Sequence, residues 1–110
     1  MYAQLTFFDG PRSPEVVAAH DRAGRERLQP AIEADPQMQD ELVSLLVLRA
    51  DDGGTVVVAV TKTQAGLARA REVIMSTELL PGEDPALLSE PDRIEICQVI
   101  DARTYVPANV

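Results

Sequence analysis

Cysteine and long apolar runs are scarce in this chain of 110 residues, and each of these two scarcities excludes a class of protein. Cys97 is the one cysteine, so the chain can neither form an internal disulfide nor ligate a ferredoxin iron–sulfur cluster. No apolar run approaches the roughly 18 to 20 residues of a membrane-spanning helix. The first residues, MYAQLTFFDGPR, lack the basic and apolar segments of a secretory signal. We therefore expect a cytoplasmic protein without a membrane partner.

Basic residues are also few: 10 Lys and Arg stand against 18 Asp and Glu, a formal net charge of −8. Such acidity argues against nucleic acid or an anionic membrane surface as the partner. No phosphate loop, dinucleotide fingerprint, nucleophile elbow or zinc pattern is present. The acidic pairs Asp51-Asp52 and Glu83-Asp84 lack companion ligands at metal-loop spacing. We accordingly expect no metal and no cofactor.

What the chain has in abundance is apolar residues between Leu42 and Lys62. We interpret this stretch as two strands, LVSLLVLRA and TVVVAVTK, joined by a turn at DDGG. A two-residue turn and a four-residue loop both place Ala50 opposite Thr55. Because side chains alternate along a strand, this pairing assigns each residue to a face. One predicted face carries Leu42, Ser44, Leu46, Leu48, Val57, Ala59 and Thr61, and the other carries Val43, Leu45, Val47, Val56, Val58 and Val60.

Both of these faces are largely apolar, so the hairpin needs cover on two sides. The chain's own helices can cover one side. The other side requires more sheet or a partner.

The first half of the chain predicts a strand over Tyr2–Phe8 and then a helix. Ser13 is a suitable N-cap, with Pro14 in the first helical position, and the helix extends to about Ala34. Pro30 predicts a kink or a break within it. Asp35-Pro36 ends this element, and residues 37–41 are predicted as a polar link.

The second half predicts a helix capped by Thr63 and a last strand over Arg93–Ala102. The helix runs from about Gln64 to Thr77 or Leu80. The proline-rich segment that follows carries a short apolar cluster, Ala86 to Leu88, which favours a packed cover over a free linker. The tail from Arg103 to Val110 either continues the last strand or extends to a partner.

The resulting order, βαββαβ, predicts one α+β domain over residues 1–110. We expect a ferredoxin-like fold, with a four-stranded antiparallel sheet and two helices on one face. The second face of the sheet would then be bare and apolar. A patch of this size exceeds what a soluble monomer normally exposes, so we predict a homodimer in which two sheets pack face to face.

These features together resemble the dimeric α/β-barrel superfamily, and within it the antibiotic-biosynthesis-monooxygenase-like domains. The resemblance rests on Pro30 late in the first helix, the hairpin LVSLLVLRADDGGTVVVAV, the helix after Thr63 and the closing strand that begins with Arg93 to Ile96. It implies a dimeric α/β barrel with a cavity between sheet and helices for a small, often aromatic or polycyclic, ligand. Some members of the family are cofactor-independent monooxygenases, some degrade haem, and many have no established activity.

The chain departs from this family at several positions. It has no tryptophan, whereas many relatives place one at the end of the third strand, where this chain has Thr61-Lys62. The haem-degrading members use an Asn, Trp and His set. Here the one asparagine is Asn109, near the C-terminus, and the one histidine is in the first helix. We therefore do not expect haem degradation.

His20 is the first candidate for chemistry, because it falls on the apolar stripe of the first helix and an imidazole exchanges protons near neutral pH. The alternative is a half-buried histidine that hydrogen-bonds a backbone group or a carboxylate. Gly24, one turn further, either leaves room at the same face or marks a close contact between helix and sheet.

Four residues of the first strand share a face and are candidates for the ligand cavity: Tyr2, Gln4, Thr6 and Phe8. Ordinary sheet packing explains them equally well. Cys97 is either a thiol nucleophile or, as we favour, a buried structural cysteine.

Two functions follow from these observations. The first is a homodimeric small-molecule-binding protein that resembles cofactor-independent monooxygenases, with His20 as its catalytic residue. The second is a non-catalytic dimerising or ligand-binding module in which the same residues only pack.

Overall fold

Four antiparallel strands form one sheet in the structure, a computed structural model that describes residues 1–105. The strands are β1 (Tyr2–Phe8), β2 (Leu42–Arg49), β3 (Thr55–Thr61) and β4 (Arg93–Gln98). They lie in the order β2-β3-β1-β4, so β2 and β4 are the edge strands. The α+β class and the antiparallel sheet are confirmed, and the strand order is compatible with a ferredoxin-like arrangement.

The first helical region begins where the sequence predicts. The Ser13 hydroxyl accepts a hydrogen bond from the Val16 N–H at 3.3 Å, and proline occupies the first position of α1 (Pro14–Arg22). The chain then passes through a π-helical segment (Ala23–Leu28) into α2 (Gln29–Ala34).

Pro30 was predicted to kink or break this region, and the structure shows no break but a π-helical segment directly before it. Proline has no N–H for the carbonyl four residues earlier and its ring crowds that carbonyl. Here the turn before it adopts the wider π winding, in which the Gln29 N–H donates to the Gly24 carbonyl five residues back. The chain thus stays helical to Ala34.

Residues 37–41, predicted as a polar link, instead belong to a short helix, α3 (Pro36–Glu41). The Asp35 carboxylate accepts a hydrogen bond from the Met38 N–H at 3.1 Å and caps it, with Pro36 in the first position. Asp35-Pro36 therefore repeats the start signal of Ser13-Pro14 as well as ending α2. The helix buries Met38, which is 1% exposed.

The hairpin register also differs from the prediction by one residue: Thr55 lies opposite Arg49, not Ala50. The cause is a three-residue loop in which Gly53 has a φ of +91°. The Gly53 N–H donates to the Ala50 carbonyl at 3.0 Å, and the Ala50 N–H donates to Gly54 at 2.8 Å. Such a turn, followed by a left-handed glycine, pairs Ala50 with Gly54.

The corrected register changes which side chains share a face, because a one-residue slip moves them to the other side. A second irregularity leaves Val43 as a bulge between Leu42 and Ser44. What we call the Tyr2 face carries Tyr2, Gln4, Thr6, Phe8, Leu45, Val47, Arg49, Thr55, Val57, Ala59, Thr61, Ile94, Ile96 and Gln98. What we call the Leu5 face carries Ala3, Leu5, Phe7, Ser44, Leu46, Leu48, Val56, Val58, Val60, Arg93, Glu95 and Cys97.

The long helix after the hairpin, α4 (Gln64–Met75), begins as predicted with Thr63 accepting from the Gly66 N–H at 3.3 Å. It ends a little earlier than Thr77. Gly66 lies against Thr61, the last residue of β3. The buried apolar residues of the described chain all belong to the helical segments, namely Ala23, Met38, Leu67 and Val73. The strands therefore keep most of their side chains only partly covered.

After α4 the chain forms a loop with one 3₁₀ turn (Pro85–Leu87) that contacts α1, as the predicted packed cover requires. The last strand ends at Gln98 rather than Ala102. The Val99 N–H still donates to the Met1 carbonyl at 2.9 Å, and Ile100 is 95% exposed. The predicted fate of residues 106–110 lies outside the described residues. Within residues 1–105, no helix has the length and apolar character needed to cross a membrane.

Candidate functional site

His20 lies on α1 with its ring against that of Phe8 on β1. The ring centroids are 4.4 Å apart and the planes are inclined by 59°. The two rings line a small depression that we call the His20 pocket. Its other lining residues are Arg12, Val16, Val17, Gly53, Thr55, Leu87 and Ser89. The space they enclose is about 10 Å³. That is at the limit of what one water molecule occupies.

Burial lowers the pKa of His20 below its ordinary value of 6.5, because an apolar environment disfavours the charged imidazolium. The guanidinium groups of Arg49 and Arg12 act in the same direction, and the carboxylate of Asp21 opposes them. The imidazole is therefore neutral at neutral pH and has a free lone pair. In this state it can accept a proton from a bound molecule.

Arg12 closes one side of the His20 pocket by joining three loops. Its backbone N–H donates to the Asp52 carbonyl at 2.9 Å, and its side chain donates to the Asp9 carbonyl at 2.7 Å. The guanidinium also pairs with Asp92 at 3.0 Å and donates to the Ser89 hydroxyl. Since its side chain is 17% exposed, Arg12 is largely committed to these partners.

Arg49 connects α1 to the sheet near the same pocket. It pairs with Asp21 at 2.6 Å and donates to the Thr55 hydroxyl at 2.9 Å. The hydrogen bond from Arg49 lowers the pKa of Asp21. His20 thus lies between two arginines that are both engaged by carboxylates.

The other predicted cavity residues do not join His20. Tyr2, Gln4 and Thr6 share the face of Phe8, as expected, but they do not line the His20 pocket. Gln4 donates to the Thr6 hydroxyl at 3.3 Å, and both side chains remain partly exposed. Of the five predicted cavity residues, the structure brings only Phe8 together with His20.

Gly24 also stands apart from the His20 pocket. A Cβ added at Gly24 would meet no atom within 4 Å. The alternative of a close contact between helix and sheet at this glycine is therefore wrong, and the space beside it is open.

Sequence patterns did not indicate Arg12, Thr55 or Ser89, because these residues come from separate segments and carry no shared motif. The sequence does contain a pattern that indicates a role for Arg49. It is the one charged residue in the apolar strand LVSLLVLR, and an isolated charge there needs a partner.

Cys97 is exposed on edge strand β4, so its interpretation as a buried structural cysteine is wrong. Successive side chains of β4 lie on alternate faces of the sheet, as predicted. All six residues of the strand are nevertheless exposed, because it lies at the edge of the sheet. No group of three or more potential metal ligands occurs within residues 1–105.

The Leu5 face is a continuous apolar surface across β2, β3 and β1. Leu46 is 52% exposed and Leu48 is 48% exposed, while Leu5, Phe7, Val56, Val58 and Val60 are half-buried. Charged residues border it on β4, where the Arg93 guanidinium lies 3.8 Å from the centre of the Phe7 ring and pairs with Glu95 at 3.4 Å.

A second depression lies on the other side of α1, between this helix and residues 82–88. Its volume is about 330 Å³, far larger than the space at His20. It is lined by Glu15, Ala18, Ala19, Arg22, Gly82, Glu83, Asp84, Leu87 and Leu88.

No family model, no curated protein and no solved structure matches this chain. The geometry described above therefore carries the functional argument.

Proposed function

We propose that this chain is a homodimeric small-molecule-binding protein whose subunits pack through the Leu5 faces of their sheets. The observation that carries the proposal is the apolar surface centred on Leu46 and Leu48, each about half exposed. Contiguous exposed apolar surface on a soluble protein generally marks an interface. A twofold axis brings the same patch of each copy together, so the surface can cover itself.

The energetics agree with this assignment. Seven large apolar side chains lie on the Leu5 face: Leu5, Phe7, Leu46, Leu48, Val56, Val58 and Val60. Covering the exposed half of Leu46 or Leu48 contributes about 1 kcal/mol, and covering the smaller exposed fraction of each of the other five contributes less. Both subunits contribute these terms. The sum is of the same order as the cost of association, about 4 to 15 kcal/mol.

In the proposed dimer, α1 and α4 lie on the Tyr2 face and the Leu5 face meets the partner. On the edge strands of the Tyr2 face, Leu45, Val47, Ile94 and Ile96 stay 37% to 57% exposed. Two contacts support the placement of the helices: His20 of α1 packs on Phe8, and Gly66 of α4 lies against Thr61. Phe8 and Thr61 both belong to the Tyr2 face. Two such subunits would form the dimeric α/β barrel that the sequence resembles.

The ligand site of this proposal is the region between the Tyr2 face and α1. Gln4 and Thr6 provide partly exposed polar groups, Phe8 provides an aromatic wall and His20 provides a neutral base. An aromatic or polycyclic phenol suits these groups, because the imidazole can take the phenolic proton and leave an electron-rich phenolate. Such a phenolate is the kind of substrate that a cofactor-independent monooxygenase oxidises with O₂.

A non-catalytic dimerising module is the second candidate, and the space of about 10 Å³ at His20 favours it. A phenol is larger than this space, so it can enter only if the Phe8 side chain or the segment between β1 and α1 that carries Arg12 moves. The two candidates share the dimer and differ in whether the His20 pocket opens.

Light scattering coupled to size exclusion tests the dimer, and β2 offers a matched pair of variants. Leu46 and Val47 are neighbours with similar exposure, 52% and 57%, on opposite faces of the sheet. We expect a dimer at micromolar concentration that Leu46→Asp converts to monomer and Val47→Asp leaves intact. A monomeric parent protein, or a dimer disrupted only by Val47→Asp, would refute this interface.

Oxygen consumption with aromatic and polycyclic phenols tests the catalytic candidate. We expect His20→Ala to abolish any O₂ uptake that the parent protein supports, with the dimer retained. Uptake that is unchanged in His20→Ala would remove this residue from the mechanism. Absence of both uptake and phenol binding would favour the non-catalytic module.

A further inference from the structure

The second depression, which we call the α1 groove, has the size of a ligand site and lies apart from His20. At about 330 Å³ it falls within the usual range of small-molecule pockets, about 300 to 1,000 Å³. Its apolar walls are Ala18 and Ala19 of α1 on one side and Leu87 and Leu88 on the other. The two alanines leave the space that larger side chains would fill.

The walls of the α1 groove are held in place without a ligand. Arg22 donates to the Pro81 carbonyl at 2.8 Å, which fixes the start of the loop against α1. Arg27 pairs with Glu83 at 3.0 Å, and their side chains are 13% and 3% exposed. Asp84 accepts from the Ala86 N–H at 2.9 Å and caps the 3₁₀ turn. A binder therefore meets a formed surface and does not have to order the loop.

The charge of the groove selects the sign of its ligand. The guanidinium of Arg22 is paired with Glu26 at 2.8 Å, and the carboxylate of Glu83 is paired with Arg27. Glu15 and Asp84, by contrast, have no basic partner among residues 1–105. These two carboxylates, beside four apolar side chains, suit a cation with an apolar body.

We propose that the α1 groove binds a small organic amine, as its ammonium cation, with the ammonium at Glu15 and Asp84 and the hydrocarbon body against Ala18, Ala19 and Leu87. This site is separate from the dimer face, and it shares Leu87 but no other lining residue with the His20 pocket. Its success or failure therefore leaves the proposed function untouched.

Titration of the labelled protein followed by amide NMR shifts tests this site, with n-hexylamine hydrochloride as the probe. We expect the largest shifts at the amides of Ala18, Ala19 and Leu88, which line the groove and not the His20 pocket. The neutral analogue 1-hexanol should bind about threefold or more weakly, because it lacks the charge. Added salt should weaken the amine and not the alcohol. Equal affinities for the two probes, or shifts centred elsewhere, would overturn the proposal.

Variants separate the charges from the shape of the groove. Glu15→Gln and Asp84→Asn each keep the side-chain size, and together they should remove the preference for the amine over the alcohol. Asp40→Asn is the control, since Asp40 is an exposed acid on α3 that does not line the groove. Ala18→Leu should abolish binding of both probes by filling the floor. An amine preference that survives the double substitution would contradict the assignment.

A lysine side chain on another protein carries the same ammonium group, so the assay includes a lysine analogue. Nα-acetyl-lysine methylamide should bind at least about threefold more weakly than hexylamine, because its amide groups do not fit the apolar walls. Equal or tighter binding of this analogue would overturn the assignment to a small free amine.

Discussion

The ring of His20 in α1 packs against the ring of Phe8 in β1, with centroids 4.4 Å apart. This contact joins the first helix to the sheet and shields part of the imidazole from water. The histidine is therefore both part of the packing and a titratable group in an apolar site.

We predict that stability depends on pH through His20. Because burial lowers its pKa from 6.5 in the folded state, the unfolded chain binds the proton more readily. The stabilisation is complete above about pH 6.5 and is lost as the pH falls toward the folded pKa. Urea denaturation between about pH 7.5 and pH 5, at one protein concentration, measures the change in the free energy of unfolding.

His20→Gln is the control for this window. The variant should lose the decline in stability between about pH 6.5 and pH 5. Hydrogen bonds from Arg49 and Arg69 lower the pKa values of Asp21 and Asp35 below 3.8. The stability that these two carboxylates contribute to the folded protein is therefore lost only at lower pH. A decline of the same size in His20→Gln would assign the effect to another group.

The ion pair between Arg27 and Glu83 should contribute more than the pairs at the surface. Glu83 is 3% exposed, and Arg27 also donates to the Thr77 hydroxyl at 2.7 Å. Glu83→Gln leaves a poorly solvated guanidinium, so we expect a loss of about 3 kcal/mol in the free energy of unfolding. Glu26→Gln breaks the exposed pair with Arg22 and should cost less than about 1 kcal/mol. Similar losses in the two variants would show that burial does not set the strength of the pair.

Two left-handed glycines provide a matched test of the loop that sets the hairpin register. Gly53 has a φ of +91°, and an added Cβ would lie 2.7 Å from the Arg12 carbonyl oxygen. Gly82 has a φ of +85°, but an added Cβ would meet only Arg22, at 3.5 Å. We expect Gly82→Ala to cost about 1 kcal/mol and Gly53→Ala at least about twice as much. Thermal or urea unfolding measures both, and equal costs would mean that the loop adapts to the clash.

Local signals predicted most of the elements, because helix starts and strand patterns depend on residues close together in the chain. Ser13-Pro14 and Thr63 begin helices as expected, and the strand patterns of residues 2–8 and 93–98 hold. α3 was missed although its signal, Asp35-Pro36, has the same form as the first one. The segment is mostly polar and buries one side chain, Met38, so it has no apolar stripe that would predict a helix.

The candidate site was predicted far less completely than the fold. His20 and Phe8 were both selected, one from a helical stripe and one from a strand face, and they meet. Arg12 and Ser89 reach the same pocket from distant loops, and their hydrogen bond spans 77 positions of the chain. Sequence patterns link residues a few positions apart, so they cannot predict a contact between residues this far apart in the chain.

By itself the sequence determined the order of the four strands and the two main helical regions, the caps at the starts of those regions and the apolar character of both faces of the hairpin. Those properties follow from side-chain alternation and from backbone groups that nearby residues satisfy. Tertiary structure alone decided that Thr55 pairs with Arg49, because the left-handed Gly53 sets the length of the loop and hence the register. It also decided that His20 lies in a small pocket, because Arg12 joins loops that are remote in the chain and contiguous only in the fold.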